Sequence, residues 1–307
     1  MLFFENFRKH LVYHFSADIH RSIDVYCYFT VNKRRNAKEN YFNINEKRKQ
    51  NMNKSVIKVT IIGDSISQGL GKKKINYCES LKNKIENLTG VICNLENLAV
   101  TGKTIIYANE IIEDIIKSDP DIILLFMGSV DALIRPKPEG VFWKCLPKRY
   151  KLNGMLDPRP FYSKKRWRYI PEHIDSWIRW HLKKVLMKFC KVYSWVDEET
   201  FEKYYRDFVR NFSDKEIFAI SPVYVDEKFF PGSNYNLKRY RDIISKICSE
   251  QENTHFFDIY SCQEQLGWKE NPSIYGDDHF HPSIYGYQWM GSIIGDKISQ
   301  IIKLNKK

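Results

Sequence analysis

The chain has 307 residues, of which 43% are hydrophobic and 28% are charged, a balance that excludes global disorder and allows a packed core. Its length predicts one large domain or two small ones. The net charge of +12 is concentrated between residues 135 and 191, where 16 basic residues stand against 4 acidic ones, so the rest of the chain is balanced.

Residues 1–54 are basic and aromatic and end in the polar stretch NINEKRKQNMNK, which is typical of a linker. We therefore expect an N-terminal appendage at 1–54 and a main domain at 55–307. Charged residues interrupt the first fifteen positions too early for a secretory signal, and no run of eighteen apolar residues predicts a transmembrane helix. The expected location is the cytoplasm, with a peripheral position at the inner face of the membrane as a further possibility.

The seven cysteines are scattered and form no CxxC pair. This pattern favours free thiols in a reducing compartment and gives a structural zinc site almost no support. The cysteines are Cys27, Cys78, Cys93, Cys145, Cys190, Cys248 and Cys262.

From residue 56 onward, short apolar runs alternate with segments of helical periodicity. Strands are predicted at 56–62, within 91–100, and at 121–127, 216–221 and 254–260. Helices are predicted at 76–88, 104–117, about 236–250 and from 283 onward. The run DIILLFM at 121–127 is almost wholly apolar, as a parallel strand covered on both faces requires. The fold class expected is α/β, a three-layer αβα arrangement around a parallel sheet of about five strands. A basic, aromatic, helical insertion is predicted after the third strand, at about 135–212.

Three small residues follow predicted strands at the same edge of this sheet. Right-handed crossovers bring the carboxyl ends of parallel strands together, and ligands bind there in open α/β sheets. Ser65, Gly102 and Gly128 each lie within a few residues of such an end. Ser65 on its own is equally typical of a helix N-cap, but this position makes it a candidate nucleophile.

A serine hydroxyl needs a general base, usually a histidine oriented by a carboxylate. The C-terminal stretch YGDDHFHPSIYGY places Asp278 three residues before His281, a spacing at which the two side chains can reach each other. A shifted pair that uses Asp277 or His279 is the alternative. A solvated loop with a histidine in local hydrogen bonds is the other explanation.

Four stretches, in order, resemble the conserved blocks of the SGNH/GDSL hydrolases. They are IIGDSISQG at 61–69, NLAVTGKT at 97–104, LLFMGSVDA at 124–132 and DDHFHPSIYGY at 277–287. The resemblance covers roughly residues 56–134 and 216–303. Each block alone is weak evidence for the resemblance, whereas the four blocks in the correct order are strong evidence.

The resemblance implies a serine esterase that works without metal or cofactor. Ser65 would attack an ester carbonyl, His281 would take and return its proton, and Asp278 would orient His281. The backbone N–H groups of Ser65 and Gly102 would form the oxyanion hole.

The third block departs from the family pattern at Val130. The family's asparagine, which is a third oxyanion donor, corresponds to this valine, whose side chain has no polar atom. Loss of one such donor typically lowers the rate by about 10²–10³. Ser129 and Arg135 are local candidates to compensate, and Asp131, which is retained, is expected to brace loops.

The stretch TGKT at 101–104 also suggests a phosphate-binding loop. That motif needs a glycine five residues before Gly102, and Asn97 occupies the position. We therefore reject the phosphate-loop interpretation.

The insertion contains a long helix with an apolar stripe, typical of a helix that packs on its own domain and exposes a basic face. The stripe comprises Ile174, Trp177, Ile178, Leu182, Val185, Leu186, Phe189 and Tyr193, and Arg179, Lys183, Lys184 and Lys191 lie mostly elsewhere. A more specific hypothesis is that the insertion forms a lid over the sheet edge where Ser65 lies, and that it also binds an anionic membrane surface or an acidic glycan. A nucleic-acid partner is disfavoured, because no recognition motif accompanies the charge.

The function predicted is hydrolysis of an acyl ester, such as an O-acetylated sugar or glycan precursor, through an acyl-Ser65 intermediate. An O-acyltransferase of surface polysaccharide biosynthesis would use the same chemistry with a sugar hydroxyl as acceptor. Because of Val130, a catalytically weakened module that binds a glycan or a membrane surface is the third alternative.

Overall fold

A computed structural model describes residues 55–70, 75–152, 154–157, 165–267 and 272–304. The predicted appendage at 1–54 lies outside these residues. Within them, five strands form the main sheet: β1 (Val56–Gly63), β2 (Ile92–Asn97), β3 (Ile122–Phe126), β6 (Glu216–Ile220) and β7 (Thr254–Phe257). Two short strands, β4 (Arg135–Pro136) and β5 (Val192–Tyr193), pair antiparallel elsewhere.

The main sheet has the strand order β2-β1-β3-β6-β7, and all of its neighbouring strands are parallel. Consecutive strands therefore need crossovers, and helices supply them on both faces. The predicted α/β fold with a five-stranded parallel sheet is confirmed. Strands β1, β3 and β6 lie inside the sheet, which explains why their sequences are nearly continuous apolar runs.

Eleven α-helices occur in the described part of the chain. They are α1 (Ser65–Gln68), α2 (Cys78–Thr89), α3 (Ile105–Glu110), α4 (Ile112–Ser118), α5 (Ser129–Ala132), α6 (Gly140–Lys144), α7 (Arg166–Phe189), α8 (Glu198–Asn211), α9 (Ser233–Ser249), α10 (Ile259–Leu266) and α11 (Ile284–Leu304). Short 3₁₀ helices cover Lys148–Tyr150 and Pro272–Ile274. None of the helices described combines the length and the apolar character that crossing a bilayer requires.

Several element boundaries differ from the sequence predictions by a few residues, and two of the differences have a clear structural cause. The single helix expected at 104–117 is divided at Ile111, which terminates α3 and begins α4. The last strand of the sheet ends at Phe257 instead of continuing to residue 260, because Asp258 caps α10 by accepting a hydrogen bond from the Ser261 N–H.

The long insertion helix α7 agrees with the sequence prediction only in part. Leu186 of the predicted apolar stripe is 2% exposed and packs inward, as expected. Arg179 and Lys183, which were expected on a solvated face, are 7% and 1% exposed, whereas Ile174 and Trp177 of the stripe are 54% and 60% exposed. The prediction was therefore wrong for these two basic and two apolar residues. Periodicity alone cannot tell which of two faces is buried when the inward face carries paired charges.

A buried ion cluster explains why the charged side of α7 faces inward. The Asp157 carboxylate accepts from Arg135 Nε and Lys183 Nζ, at 2.7 Å each. Arg179 donates to the Asp157 carbonyl at 3.3 Å, and the Arg135 guanidinium lies 3.8 Å from the Trp195 ring centroid. Burial opposes ionisation of Asp157, but the two cations hold its pKa far below its ordinary range. The cluster thus joins α7 to β4 and to the loop around residue 157.

Asp157→Asn is expected to destabilise the protein by about 3–5 kcal/mol, because it leaves two buried cations without a counter-charge. Urea denaturation of the full chain measures the change. Asp114→Asn is the matched control, since Asp114 forms an exposed pair with Lys117 at 3.5 Å and should contribute under about 1 kcal/mol. Equal stabilities of the two variants would show that the cluster does not hold the insertion.

Candidate functional site

Ser65 lies where β1 passes into α1 with one residue between them. That residue, Asp64, is the N-cap of α1: its carboxylate accepts a hydrogen bond from the Ile66 N–H at 2.8 Å. The alternative in which Ser65 itself caps the helix is therefore not the arrangement observed. The hydroxyl of Ser65 is left to bond elsewhere.

Gly63 makes this abrupt turn possible. A Cβ at position 63 would lie 2.2 Å from the Ser67 hydroxyl oxygen and 3.3 Å from the Phe126 carbonyl. Any side chain there would displace α1 from the sheet or β1 from β3. Glycine at this position is thus a steric requirement of the turn that carries Ser65.

The loop after β2 is tied directly to α1. Asn97 donates from its side-chain amide to the Ser67 carbonyl at 2.8 Å, and the Thr101 N–H donates to Gln68 Oε1 at 2.9 Å. The Val100 N–H also donates to the Gly63 carbonyl at 3.1 Å. These bonds set the loop that contains Gly102 beside the turn that contains Ser65. Sequence reasoning missed the roles of Gln68 and Asn97, although both lie inside the quoted motifs.

A second loop, between the 3₁₀ helix at 272–274 and α11, carries Asp278 and His281. It is closed by the Gly276 N–H to the His281 carbonyl at 2.7 Å and by the Ser283 N–H to the Ile274 carbonyl at 2.8 Å. Gly286 allows α11 to pack against this loop, since a Cβ there would lie 1.8 Å from the Ile274 oxygen. The Gly-aromatic pair of the motif is thus a packing device.

The structure brings Ser65, His281 and Asp278 together in one hydrogen-bonded row. His281 Nε2 lies 2.7 Å from the Ser65 hydroxyl oxygen, and His281 Nδ1 lies 2.5 Å from Asp278 Oδ2. Asp278 Oδ1 accepts from the His281 N–H at 2.9 Å and from the Phe280 N–H at 3.2 Å. With the Nδ1 proton held by a carboxylate, the lone pair of Nε2 faces the hydroxyl, as general-base catalysis requires.

Burial and charge shift the pKa values of His281 and Asp278 in opposite directions. Burial alone would lower the pKa of His281, but the Asp278 carboxylate outweighs it and raises that pKa above its ordinary value. Burial would likewise raise the pKa of Asp278, but His281 and the hydrogen bonds lower it. The arrangement therefore favours a charged aspartate and stabilises the imidazolium that forms when His281 takes a proton.

Asp131 braces the loops, as its position in the third block suggested. Its two carboxylate oxygens accept from the Ile105 N–H at 2.8 Å and from the Gly128 N–H at 3.1 Å. These donors belong to the connections after β2 and β3. Burial raises the pKa of Asp131 to about 7, although the hydrogen bond from Ile105 opposes that shift.

Two backbone N–H groups are available at the predicted oxyanion positions. Among the described residues, neither the Ser65 nor the Gly102 N–H donates to a partner. The side chains proposed to replace the missing asparagine are occupied: the Ser129 hydroxyl accepts from the Val223 N–H at 3.1 Å. Arg135 donates to the Val130 carbonyl at 2.9 Å and pairs with Asp157. Compensation for Val130 by these two side chains is therefore not what the structure shows.

The neighbouring His279 points away from Ser65 into a stack of rings. Its ring lies 3.5 Å from that of Phe229, nearly parallel, and its Nδ1 lies 3.3 Å from Asp226 Oδ2. The Phe229 ring also stacks on Trp180 of α7, with ring centroids 4.9 Å apart. The shifted pair with His279 is thus not formed, and a ring stack that the sequence did not reveal links α7 to the loop of His281.

The chain is similar to a known protein family and to several solved structures. The model of the GDSL-like lipase/acylhydrolase family matches residues 61–289. A lipase/acylhydrolase from Enterococcus faecalis is similar in fold, with a TM-score of 0.53 at 14% identity over 80% of this chain and 96% of that one. An acetylxylan esterase from Geobacillus stearothermophilus gives a TM-score of 0.51 at 16% identity, over 80% and 94%. No curated protein sequence matches.

Labelling by a fluorophosphonate probe should speed up with rising pH, because His281 must be neutral to accept the serine proton. We expect the midpoint of this rise above the ordinary histidine pKa of about 6.5, since Asp278 favours the charged ring. Asp278→Asn should move the midpoint downward and slow labelling by roughly 10⁴. Asp277→Asn, at the exposed neighbouring carboxyl, is the control; a profile shared by both variants would contradict the assignment.

Proposed function

Because the chain belongs to the GDSL-like lipase/acylhydrolase family, we propose that it hydrolyses an acyl ester with Ser65 as the nucleophile. The observation that carries this proposal is the continuous row from Ser65 through His281 to Asp278. Membership of the family supports ester hydrolysis. The roles of the individual residues are our inference from their geometry.

In the first step the Ser65 oxygen attacks the ester carbonyl while His281 Nε2 takes the hydroxyl proton. The resulting oxyanion is stabilised by the backbone N–H groups of Ser65 and Gly102. His281 then gives the proton to the departing alkoxide, which leaves as the alcohol, and the acyl group remains on Ser65. Water then attacks the acyl carbon while His281 Nε2 takes its proton. His281 returns that proton to the Ser65 oxygen as the bond to the acyl group breaks, which releases the acid and restores the serine hydroxyl.

One comparison supports an O-acylated carbohydrate as the substrate. The fold relative from Geobacillus stearothermophilus is an acetylxylan esterase, and its catalytic mutants replace an aspartate, a histidine and a serine. An aromatic cleft in the insertion is lined by Trp143, Tyr193 and Trp195 together with Arg135 and Asp157. Neither Ser65 nor His281 lines this cleft, so the proposed substrate class rests on the comparison.

Transfer of the acyl group to a sugar hydroxyl is the second proposed activity. It uses the same acyl-Ser65 intermediate, and the burial of Ser65 and His281 limits the access of water to it. An O-acyltransferase in polysaccharide biosynthesis in the cytoplasm is therefore the alternative. Product analysis with a free oligosaccharide acceptor separates the two, because transfer yields an acylated acceptor in place of free acid.

A binding module with little activity is the third proposal, and Val130 is the residue that favours it. The basic segment at 135–191 would then bind an anionic surface, either a membrane or an acidic glycan. The intact row of Ser65, His281 and Asp278 argues against loss of activity. Measurable ester turnover would decide between an active enzyme and a binding module.

Ser65→Ala should lower the hydrolysis of an acetylated xylo-oligosaccharide by at least about 10³, because no other group can form the acyl intermediate. Acetate release measures the change. Ser67→Ala is the matched control: the Ser67 hydroxyl bonds to the Tyr77 hydroxyl at 2.8 Å and has no proposed role in the chemistry. Turnover that survives in Ser65→Ala would refute the nucleophile, and a folded wild-type protein without turnover on any ester would favour the binding module.

Val130→Asn should raise kcat by about tenfold or more, because it supplies the amide donor that the third block lacks. Val130→Leu keeps the position apolar and serves as the control. Both rates are measured with p-nitrophenyl acetate at saturating concentration. An asparagine variant no faster than the leucine variant would mean that the oxyanion hole does not use a donor from this position.

A further inference from the structure

The outward face of α7 carries six large, exposed apolar side chains, with the exposed Lys188 among them. Its large exposed side chains are Trp167, Ile170, Ile174, Trp177, Val185 and Phe189, each with 47% or more of its surface accessible. At 100° per residue these six positions fall within about 120° of the helix circumference, so they form one stripe. We name these six residues the α7 stripe.

The α7 stripe continues onto neighbouring elements. Phe142 of α6 stacks on Phe189 with ring centroids 4.9 Å apart, and Val141 and Val192 beside them are also exposed. A contiguous apolar surface of this kind on a folded chain is typical of an interaction site. The stripe lies on one side of α7. On the opposite side of the helix, Arg179 and Lys183 face inward and form ion pairs with Asp175 and Asp157.

Among the described residues, part of the positive charge of the segment that contains the stripe has no acidic partner. Three acids of the segment are already paired: Glu139 with Lys137, Asp157 with Arg135 and Lys183, and Asp175 with Arg149 and Arg179. Four lysines of the same segment form no ion pair with a described acidic residue: Lys188 on α7, Lys191 just after it, Lys144 on α6 and Lys148. An anionic partner is therefore the electrostatic complement of this surface.

We propose that the α7 stripe and these lysines bind the surface of a bilayer that contains anionic phospholipid, with α7 lying in the plane of the interface. Tryptophans and aliphatic side chains enter the acyl boundary, and the lysines contact the headgroups. An acidic glycan could pair with the lysines but would leave Ile170 and Ile174 in water. A second copy of the chain would bring two strongly basic segments together, which their charge opposes.

Co-sedimentation of the full chain with vesicles tests the proposal. Wild type should bind vesicles of equal parts phosphatidylcholine and phosphatidylglycerol, and bind phosphatidylcholine alone at least about tenfold more weakly. Trp177→Ser combined with Ile174→Ser should lower affinity for the mixed vesicles by about tenfold or more, because both side chains lose their place in the interface. Ser65→Ala should bind like wild type, which keeps docking separate from catalysis.

The matched control is Tyr235→Ser combined with Ile116→Ser, at two comparably exposed apolar side chains on α9 and α4. It should leave vesicle binding unchanged. Equal binding by the stripe variant and the control variant would overturn the proposal, as would binding that is the same for neutral and mixed vesicles. Absence of vesicle binding, with self-association or capture of an acidic protein that the stripe variant abolishes, would overturn it in favour of a protein interface.

Discussion

The direct passage from β1 to α1 is the constraint on which the site depends. One residue separates the strand from the helix, so the direction of β1 sets the position of Ser65 almost without freedom. The passage is sterically possible because Gly63 has no side chain and is stable because Asp64 caps the helix. Burial raises the pKa of the Asp64 carboxyl to about 6, so the cap itself is held in a poorly solvated place.

Around this turn, hydrogen bonds between side chains and the backbone fix the distances between neighbouring loops. Asp131 holds the connections after β2 and β3, and Asn97 and Gln68 hold the loop of Gly102 against α1. None of these side chains needs to touch a substrate. Their effect is to keep N–H groups and the hydroxyl at fixed distances, which is how a rigid sheet edge supports electrostatic stabilisation without reorganisation.

The sheet and the position of Ser65 could be predicted from the strand pattern, and Asp278 and His281 from their three-residue spacing and the resemblance of the ordered motifs. Buried parallel strands are apolar on both faces, and the residues that follow them meet at one edge whatever the details of packing. The faces of α7 could not be predicted, because the pairing of Lys183 and Arg135 with Asp157 depends on a contact across the fold. The stack of Trp180, Phe229 and His279 was equally inaccessible, since its members are far apart along the chain and carry no shared motif.

The hydrogen bond between Ser65 and His281 joins residues 216 positions apart. At about 5–20 residues per second, the ribosome adds the histidine roughly 10–40 s after the serine. Throughout that interval the Ser65 hydroxyl lacks this partner, and helix α11, which packs on α2 near the start of the sheet, has not been made. The row of Ser65, His281 and Asp278 can therefore form only after residue 281 has been added, at the stage when α11 packs on α2.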